Sequence, residues 1–384
     1  MPDAMPLNRT IPARPASYGK AVALVLQGGG ALGSYQAGVF EALAESEYLP
    51  DWVAGISIGA INAAIIAGNA PERRVPRLRQ FWEGITAPPA FWPSWLGATG
   101  LVAAPQFGAA GAVLFGQPGF FEPRPATDWL FGASPVSFYD TSALRSTLEA
   151  VVDFDRINAR EMRFSVGAVE VETGNFAYFD NAHCTITPAH VMASGALPPG
   201  FPAVEIDGRH YWDGGLVSNT PLQYVLEYVP RRSRLTFQVD LFPARGPLPT
   251  SLLESTEREK DIRYSSRTRA ATDTLRLQHD LRHNINALWD RLPPDLRTTP
   301  EAQFLYNFGC VTTMDIVQLI DRPSSDQGHD KDYEFSRATM AARWDRGRAD
   351  AETTLAASPW LAPMPQDMGA RSFDVLGARA KRAR

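Results

Sequence analysis

Hydrophobic and polar positions change period several times along the chain, and each change marks an element. Residues 21–27, AVALVLQ, are a short unbroken apolar run, which fits a strand buried on both faces. Glycines follow at once in GGGALG, residues 28–33, and Val39, Ala42 and Leu43 then fall at helical spacing. The order repeats: a short strand at 51–55, a turn at Ser57 and a helix over 58–68 that ends in Gly68 and Asn69. Two consecutive strand-turn-helix units predict a parallel sheet. Strand patterning returns at 163–170, and Thr173, Gly174 and Asn175 turn the chain into a second strand at 176–179, a predicted hairpin. Asp207 and Gly208 mark another hairpin, and 235–241, LTFQVDL, reads as the last core strand.

Beyond Pro249 the pattern is charged and helical. Leu277, Leu281, Leu288 and Leu292 form an amphipathic stripe that stops at Pro293 and Pro294, and core packing is its expected role. A further helix is expected at about 332–355, and the terminal GARAKRAR reads as a solvated basic end. The predicted organisation is therefore a tail at 1–19, a catalytic α/β region at 20–245 and a helical extension at 246–384.

The stretch from 84 to 121 carries no charge, yet Pro88, Pro89, Pro93, Pro105 and Pro118 cut it into pieces too short to span a bilayer. It reads as an apolar insertion, reaching to about 135. Its aromatic residues, Phe91, Trp92 and Trp95 among them, must either pack on the body of the protein or meet something apolar outside it. The expectation is a cover or an acyl-binding wall, with Phe91, Trp92 and Trp95 as lipid contacts.

Charge narrows the function classes. With 37 basic against 42 acidic side chains, a net charge of -5 gives no overall pull toward polyanions, so no nucleic-acid partner is expected. Cys184 and Cys310 are far apart and lack metal-ligand spacing, which argues against structural zinc and suits a reducing compartment; both read as buried small side chains. There is no D-x-D-x-D-G loop, so no metal dependence is expected, and no cofactor is expected. The first twenty residues contain no apolar stretch of signal-peptide length, and the expected location is the cytoplasm, peripheral at the inner membrane surface.

Residues 55–59, GISIG, match G-x-S-x-G, in which the glycines let Ser57 occupy a strained strand-to-helix turn with its hydroxyl exposed. Such a serine needs a base for its proton and donors for the oxyanion. The amides of Gly28, Gly29 and Gly30, with that of Ile58, can supply the donors. For the base, none of the six histidines has a compelling setting, whereas Asp213 precedes Gly214 and Gly215 in YWDGG, where a tight turn can aim it. Partial desolvation would raise its pKa into a useful range.

GGGALG, GISIG and DGG, in this order, with MASGALPPGFPAV at 192–204, resemble the patatin-like phospholipase family of serine lipid acyl hydrolases, over about residues 20–245. The resemblance implies a three-layer α/β/α sandwich with a largely parallel sheet and a Ser57–Asp213 dyad. It also implies an oxyanion hole at Gly28–Gly30, with Gly33, Gly55, Gly59, Gly214 and Gly215 as the motif glycines, and a lipid or acyl-ester substrate. Family members often carry Arg or Lys where this chain has Leu32. The C-terminal region resembles an extension found in a bacterial subgroup. Phospholipid, lysophospholipid, glyceride, acyl thioester and polyester all remain open as substrates. Two rival readings exist: Gly28, Gly30, Gly33 and Asp51 also fit a dinucleotide-binding oxidoreductase, and a silent membrane-binding protein could keep the fold. The first leaves Ser57 and Asp213 unexplained, and the intact dyad counts against the second.

Overall fold

The computed structural model describes residues 12–86, 114–125, 127–128, 135–322 and 332–382. Its strands are β1 (Ala21–Leu26), β2 (Trp52–Gly55), β3 (Glu122–Pro123), β4 (Tyr139–Asp140), β5 (Arg163–Glu170), β6 (Phe176–Asp180), β7 (Val204–Ile206), β8 (Arg209–Asp213), β9 (Arg234–Asp240), β10 (Met314–Ile320) and β11 (Ala370–Phe373). Nine of them form one sheet, in the order β11-β10-β9-β1-β2-β5-β8-β7 with β6 also paired to β5; β3 and β4 make a separate small ribbon. From β11 to β5 every neighbouring pair is parallel, while β6, β7 and β8 join by antiparallel pairing. The larger helices are α1 (Ser34–Ala44), α2 (Ile58–Ala67), α3 (Pro71–Ile85), α4 (Ser142–Val151), α5 (Phe154–Asn158), α6 (Pro188–Ser194), α7 (Leu222–Glu227), α8 (Leu252–Arg291), α9 (Pro300–Phe308), α10 (Arg337–Ala357) and α11 (Val375–Arg382).

The strands are apolar on both faces because helices cover both. In β1, Val22, Leu24 and Leu26 join the core shared with α1, α2, α3 and α10, while Ala23 and Val25 face the opposite way and pack with Leu222, Val225 and Leu226 of α7 and Leu275 of α8. This is the expected three-layer α/β/α sandwich. Both hairpins form: Gly174 has φ 69° between β5 and β6, and Asp207 and Gly208 have φ 52° and 76° between β7 and β8.

Four expectations are corrected. β9 is not the last core strand: β10 and β11, from the region read as helical, extend the same sheet in parallel, with Met314 opposite Arg234 and Ala370 opposite Met314. The leucine stripe on α8 is not core, since Leu277, Leu281 and Leu288 are 61%, 56% and 55% exposed. The helix expected from about 332 begins at Arg337, because the Ser336 side chain caps it by accepting the Thr339 amide. Cys184 and Cys310 are half-buried thiols, not buried ones. No helix among the described residues is long and apolar enough to cross a membrane.

Candidate active site

Sheet register brings the two halves of the site to one level. Gly55 of β2 lies opposite Val166 of β5, and Ala168 of β5 lies opposite Asp213 of β8, so Ser57, two residues past Gly55, emerges beside the end of β8. Crevices of this kind, beyond the carboxyl ends of parallel strands, are where open α/β sheets bind ligands.

Ser57 has φ 56° and ψ -124°, a conformation that L residues rarely adopt, at the entry to α2. The chain tolerates it because the elbow is pinned from both sides. Its amide donates to the Ser194 carbonyl at 3.1 Å and to the Ser194 Oγ at 3.0 Å, while that hydroxyl donates to the Gly167 carbonyl at 2.7 Å. Gly59 is required at its position, since a Cβ there would lie 2.4 Å from the Leu26 carbonyl oxygen.

Asp213 is 3% exposed. Burial pushes its carboxyl up to about 6, opposed by its hydrogen bonds with the Ser57 hydroxyl and the Gly215 amide; the latter bond measures 2.7 Å. The glycine loop lies across from it. The Gly28 amide donates to the Asn219 carbonyl at 3.2 Å, whereas the Gly29, Gly30 and Ile58 amides make no hydrogen bond among the described residues.

These groups open into a cavity of about 360 Å³ whose walls include Ile61, Phe120, Phe121, Leu144, Leu197 and Phe201, with Tyr333 and Phe335 from the C-terminal region. Asp213 and Asp332 are the only ionisable carboxylates among the described lining residues, and no Lys or Arg joins them. Phe120 and Phe121, the end of the uncharged stretch, are 7% and 3% exposed and pack on Phe201 and Phe335. Phe91, Trp92 and Trp95 lie outside the described residues. Leu32 is buried in the core at 1% exposure.

The five described histidines are engaged elsewhere. His190 completes a capping box with Thr187, His210 meets Glu172, His183 meets Tyr228, His279 faces Glu227 and His283 meets the Gln366 carbonyl. Among the described residues no group of His, Cys, Asp and Glu could hold a metal ion.

Sequence reasoning passed over Ser194 and Asn219. Ser194 lay inside the quoted 192–204 stretch, and Asn219 follows DGG by four residues, but a short polar side chain in a turn gives no sign of which distant backbone it will hold. Behind the loop runs a chain of buried amides. Trp82 Nε1 donates to Asn62 Oδ1 at 3.0 Å, Asn62 Nδ2 to Gln36 Oε1 at 2.9 Å, Gln36 Nε2 to the Gln27 carbonyl at 2.6 Å and Gln27 Nε2 to Thr268 Oγ1 at 3.0 Å.

A doubly covered, mostly parallel sheet with a glycine loop after its first strand and a strained serine after its second defines an α/β protein of the nucleophile-elbow type. The chain belongs to the patatin-like phospholipase family, whose model matches residues 24–226; a second model, described as patatin phospholipase, matches residues 262–367. It is 44% identical over 71 residues to patatin-like phospholipase domain-containing protein 7 of Mus musculus, a stretch covering 18% of this chain and 5% of that protein. It is 38% identical over 68 residues to triacylglycerol lipase SDP1L of Arabidopsis thaliana, 18% of this chain and 8% of that protein. The matched stretches thus span under a tenth of the length of these relatives. Among solved structures, VipD from Legionella pneumophila aligns over 88% of this chain and 66% of its own, with 13% identity and a TM-score of 0.39.

Proposed function

We propose that the protein is a lipid acyl hydrolase that cleaves carboxylic esters of the phospholipase A or lysophospholipase type through a Ser57 acyl-enzyme, with Asp213 as general base. The observation that carries this reading is the buried Asp213 carboxyl, raised to about 6 by burial and facing the Ser57 hydroxyl in an apolar cavity that both residues line.

In this mechanism Ser57 Oγ attacks the ester carbonyl carbon while its proton passes to Asp213. The carbonyl oxygen becomes an oxyanion and accepts from the amides of Gly29 and Gly30, assisted by Ile58 at the start of α2. Gly28 does not donate, because its amide is spent on Asn219; its role is to let the loop approach, since a Cβ there would lie 3.0 Å from Ser57 Cβ. Collapse of the intermediate breaks the ester C–O bond, and the leaving alcohol takes the proton from Asp213. Water then attacks the acyl-enzyme, returns a proton through Asp213 to Ser57 Oγ and releases the fatty acid. The aromatic walls suit an acyl chain, and Phe91, Trp92 and Trp95 are assigned to contact with the lipid aggregate.

The test is a panel of soluble esters and phospholipids with the wild type, Ser57→Ala and Asp213→Asn, alongside labelling by a fluorophosphonate. Both variants should lose about three or more orders of magnitude in kcat, and their combination should be no worse than either alone. Undiminished labelling of folded Ser57→Ala overturns the nucleophile; a histidine variant as inactive as Ser57→Ala overturns the dyad.

A further inference from the structure

The C-terminal region does more than add strands to the sheet. Between β10 and α10 the chain returns to the glycine loop, and Tyr333 and Phe335 turn their rings to the cavity. The carbonyls of the residues preceding them point into hydrogen bonds around Ala31. The Ala31 amide donates to the Asp332 carbonyl at 2.8 Å. On the other side of the same residue, the Ala31 carbonyl accepts from Arg343 Nη1 at 3.2 Å, and that nitrogen also donates to the Glu334 carbonyl at 3.0 Å. Gly30, immediately before, has φ 54°, and a Cβ on it would lie 2.4 Å from the Asp332 carbonyl oxygen. Asp332 is tethered in turn: Lys260 of α8 donates to its two carboxylate oxygens at 3.0 and 2.8 Å.

We infer that residues 332–343, anchored by Lys260, set the conformation of the oxyanion loop, with Lys260 and Arg343 as positioning residues; the inference rests on the hydrolase reading for its catalytic consequence. The physical need is plain. A run of glycines loses more backbone entropy on ordering than any other sequence, and donors for an oxyanion work only if they are oriented before the charge develops. GGGALG has no polar side chain, and its one internal hydrogen bond, from the Leu32 amide to the Gly29 carbonyl at 3.2 Å, leaves Gly30 and Ala31 to be held from outside the loop. The Ala31 amide, next to the Gly29 and Gly30 donors, thus has its partner about 300 residues away in sequence, and the Ala31 carbonyl accepts from equally distant Arg343 as well as locally from Ser34 Oγ at 3.3 Å.

Arg343 suits the task. It is 1% exposed and fixed within α10, which packs on α1 directly after the loop. Burial lowers its pKa to about 10, which leaves it charged at neutral pH, and a charged donor to a backbone carbonyl is stronger than a neutral one. Asp332, Glu334 and Arg343 all fall within the match at 262–367, so this region acquires a role in the catalytic unit.

The test uses full-length protein with Lys260→Met, Lys260→Arg and Arg343→Lys. It measures kcat and KM on a soluble short-chain ester, melting temperature, and amide hydrogen exchange of the peptide covering residues 28–33. Lys260→Met should lower kcat about tenfold with KM within about twofold, and should speed exchange in that peptide, while Lys260→Arg restores both. Arg343→Lys should cost about a hundredfold in kcat. Wild-type kcat and exchange in Lys260→Met, or losses that Lys260→Arg does not restore, overturn the inference. If Arg343→Lys does not fold, the Lys260 pair decides alone. A wild type that neither hydrolyses esters nor reacts with a fluorophosphonate refutes the hydrolase reading instead, and the exchange measurement still judges the tether.

Discussion

Asn219 grips Gly28 from both directions: its Nδ2 donates to the Gly28 carbonyl at 2.9 Å, and its own carbonyl accepts the Gly28 amide at 3.2 Å. The glycine loop and the turn that carries Asp213 are thereby tied together, since Asn219 Oδ1 also lies 2.8 Å from where a Cβ on Gly215 would be. Asn219→Ala strands the buried Gly28 carbonyl and should loosen the geometry between the Asp213 turn and the glycine loop. Melting should report a loss of about 1–3 kcal/mol. Steady-state kinetics should show kcat falling by about tenfold or more, beyond what the stability loss explains at assay temperature.

The Asp213 carboxyl, near 6, sets two pH dependences of opposite kind. In the proposed mechanism only the carboxylate accepts the Ser57 proton, so kcat/KM should fall about tenfold per pH unit below about 6 and level off above it. For stability, the folded-state value lies above the ordinary 3.8, so between 3.8 and about 6 the native state holds a proton that the unfolded chain releases. Stability from this group is lost as pH rises through that window and stays low above it. Asp213→Asn, inactive, should therefore melt higher than wild type at pH 8 and show little difference near pH 4. A wild type that melts equally at pH 8 contradicts the burial argument.

On the exposed face of α8, Leu281→Glu should change stability by no more than about 0.5 kcal/mol, as surface substitutions do, against about 2–5 kcal/mol for truncation of a core leucine. Denaturant unfolding of the single variant distinguishes the two.

Trp92→Ser with Trp95→Ser should weaken binding to phospholipid vesicles and hydrolysis of long-chain substrate while sparing a short soluble ester. The reasoning is that Trp is favoured where one side is apolar and the other wet. Equal loss on both substrates with a lower melting temperature would make the insertion structural.

The elements that carry the candidate site were legible because their signals are local. The strand-glycine-helix order at 21–44, the elbow around Ser57 and the DGG turn at Asp213 each declare themselves within a few residues, since turn chemistry and side-chain period act at short range. The hairpins at Gly174 and Asp207–Gly208 were legible for the same reason.

Tertiary structure decided what no local pattern encodes. The run MDIVQLI at 314–320 is rich in strand-forming residues, but its assignment needs a partner, and Met314 finds Arg234 far back in the chain. The leucine stripe shows which face of α8 is apolar, and periodicity says nothing of whether another element covers it; here none of the described residues does so fully. Which glycine amides have no partner among the described residues was likewise settled by a distant residue, Asn219, whose carbonyl accepts the amide of Gly28. The sequence alone thus determined the turns that carry Ser57 and Asp213, because those depend on neighbours in the chain. The sheet's final width, the hydrogen bonds of the glycine loop and the Lys260–Asp332–Ala31 tether depend on contacts between residues far apart in the sequence, and those contacts exist only once the chain has folded.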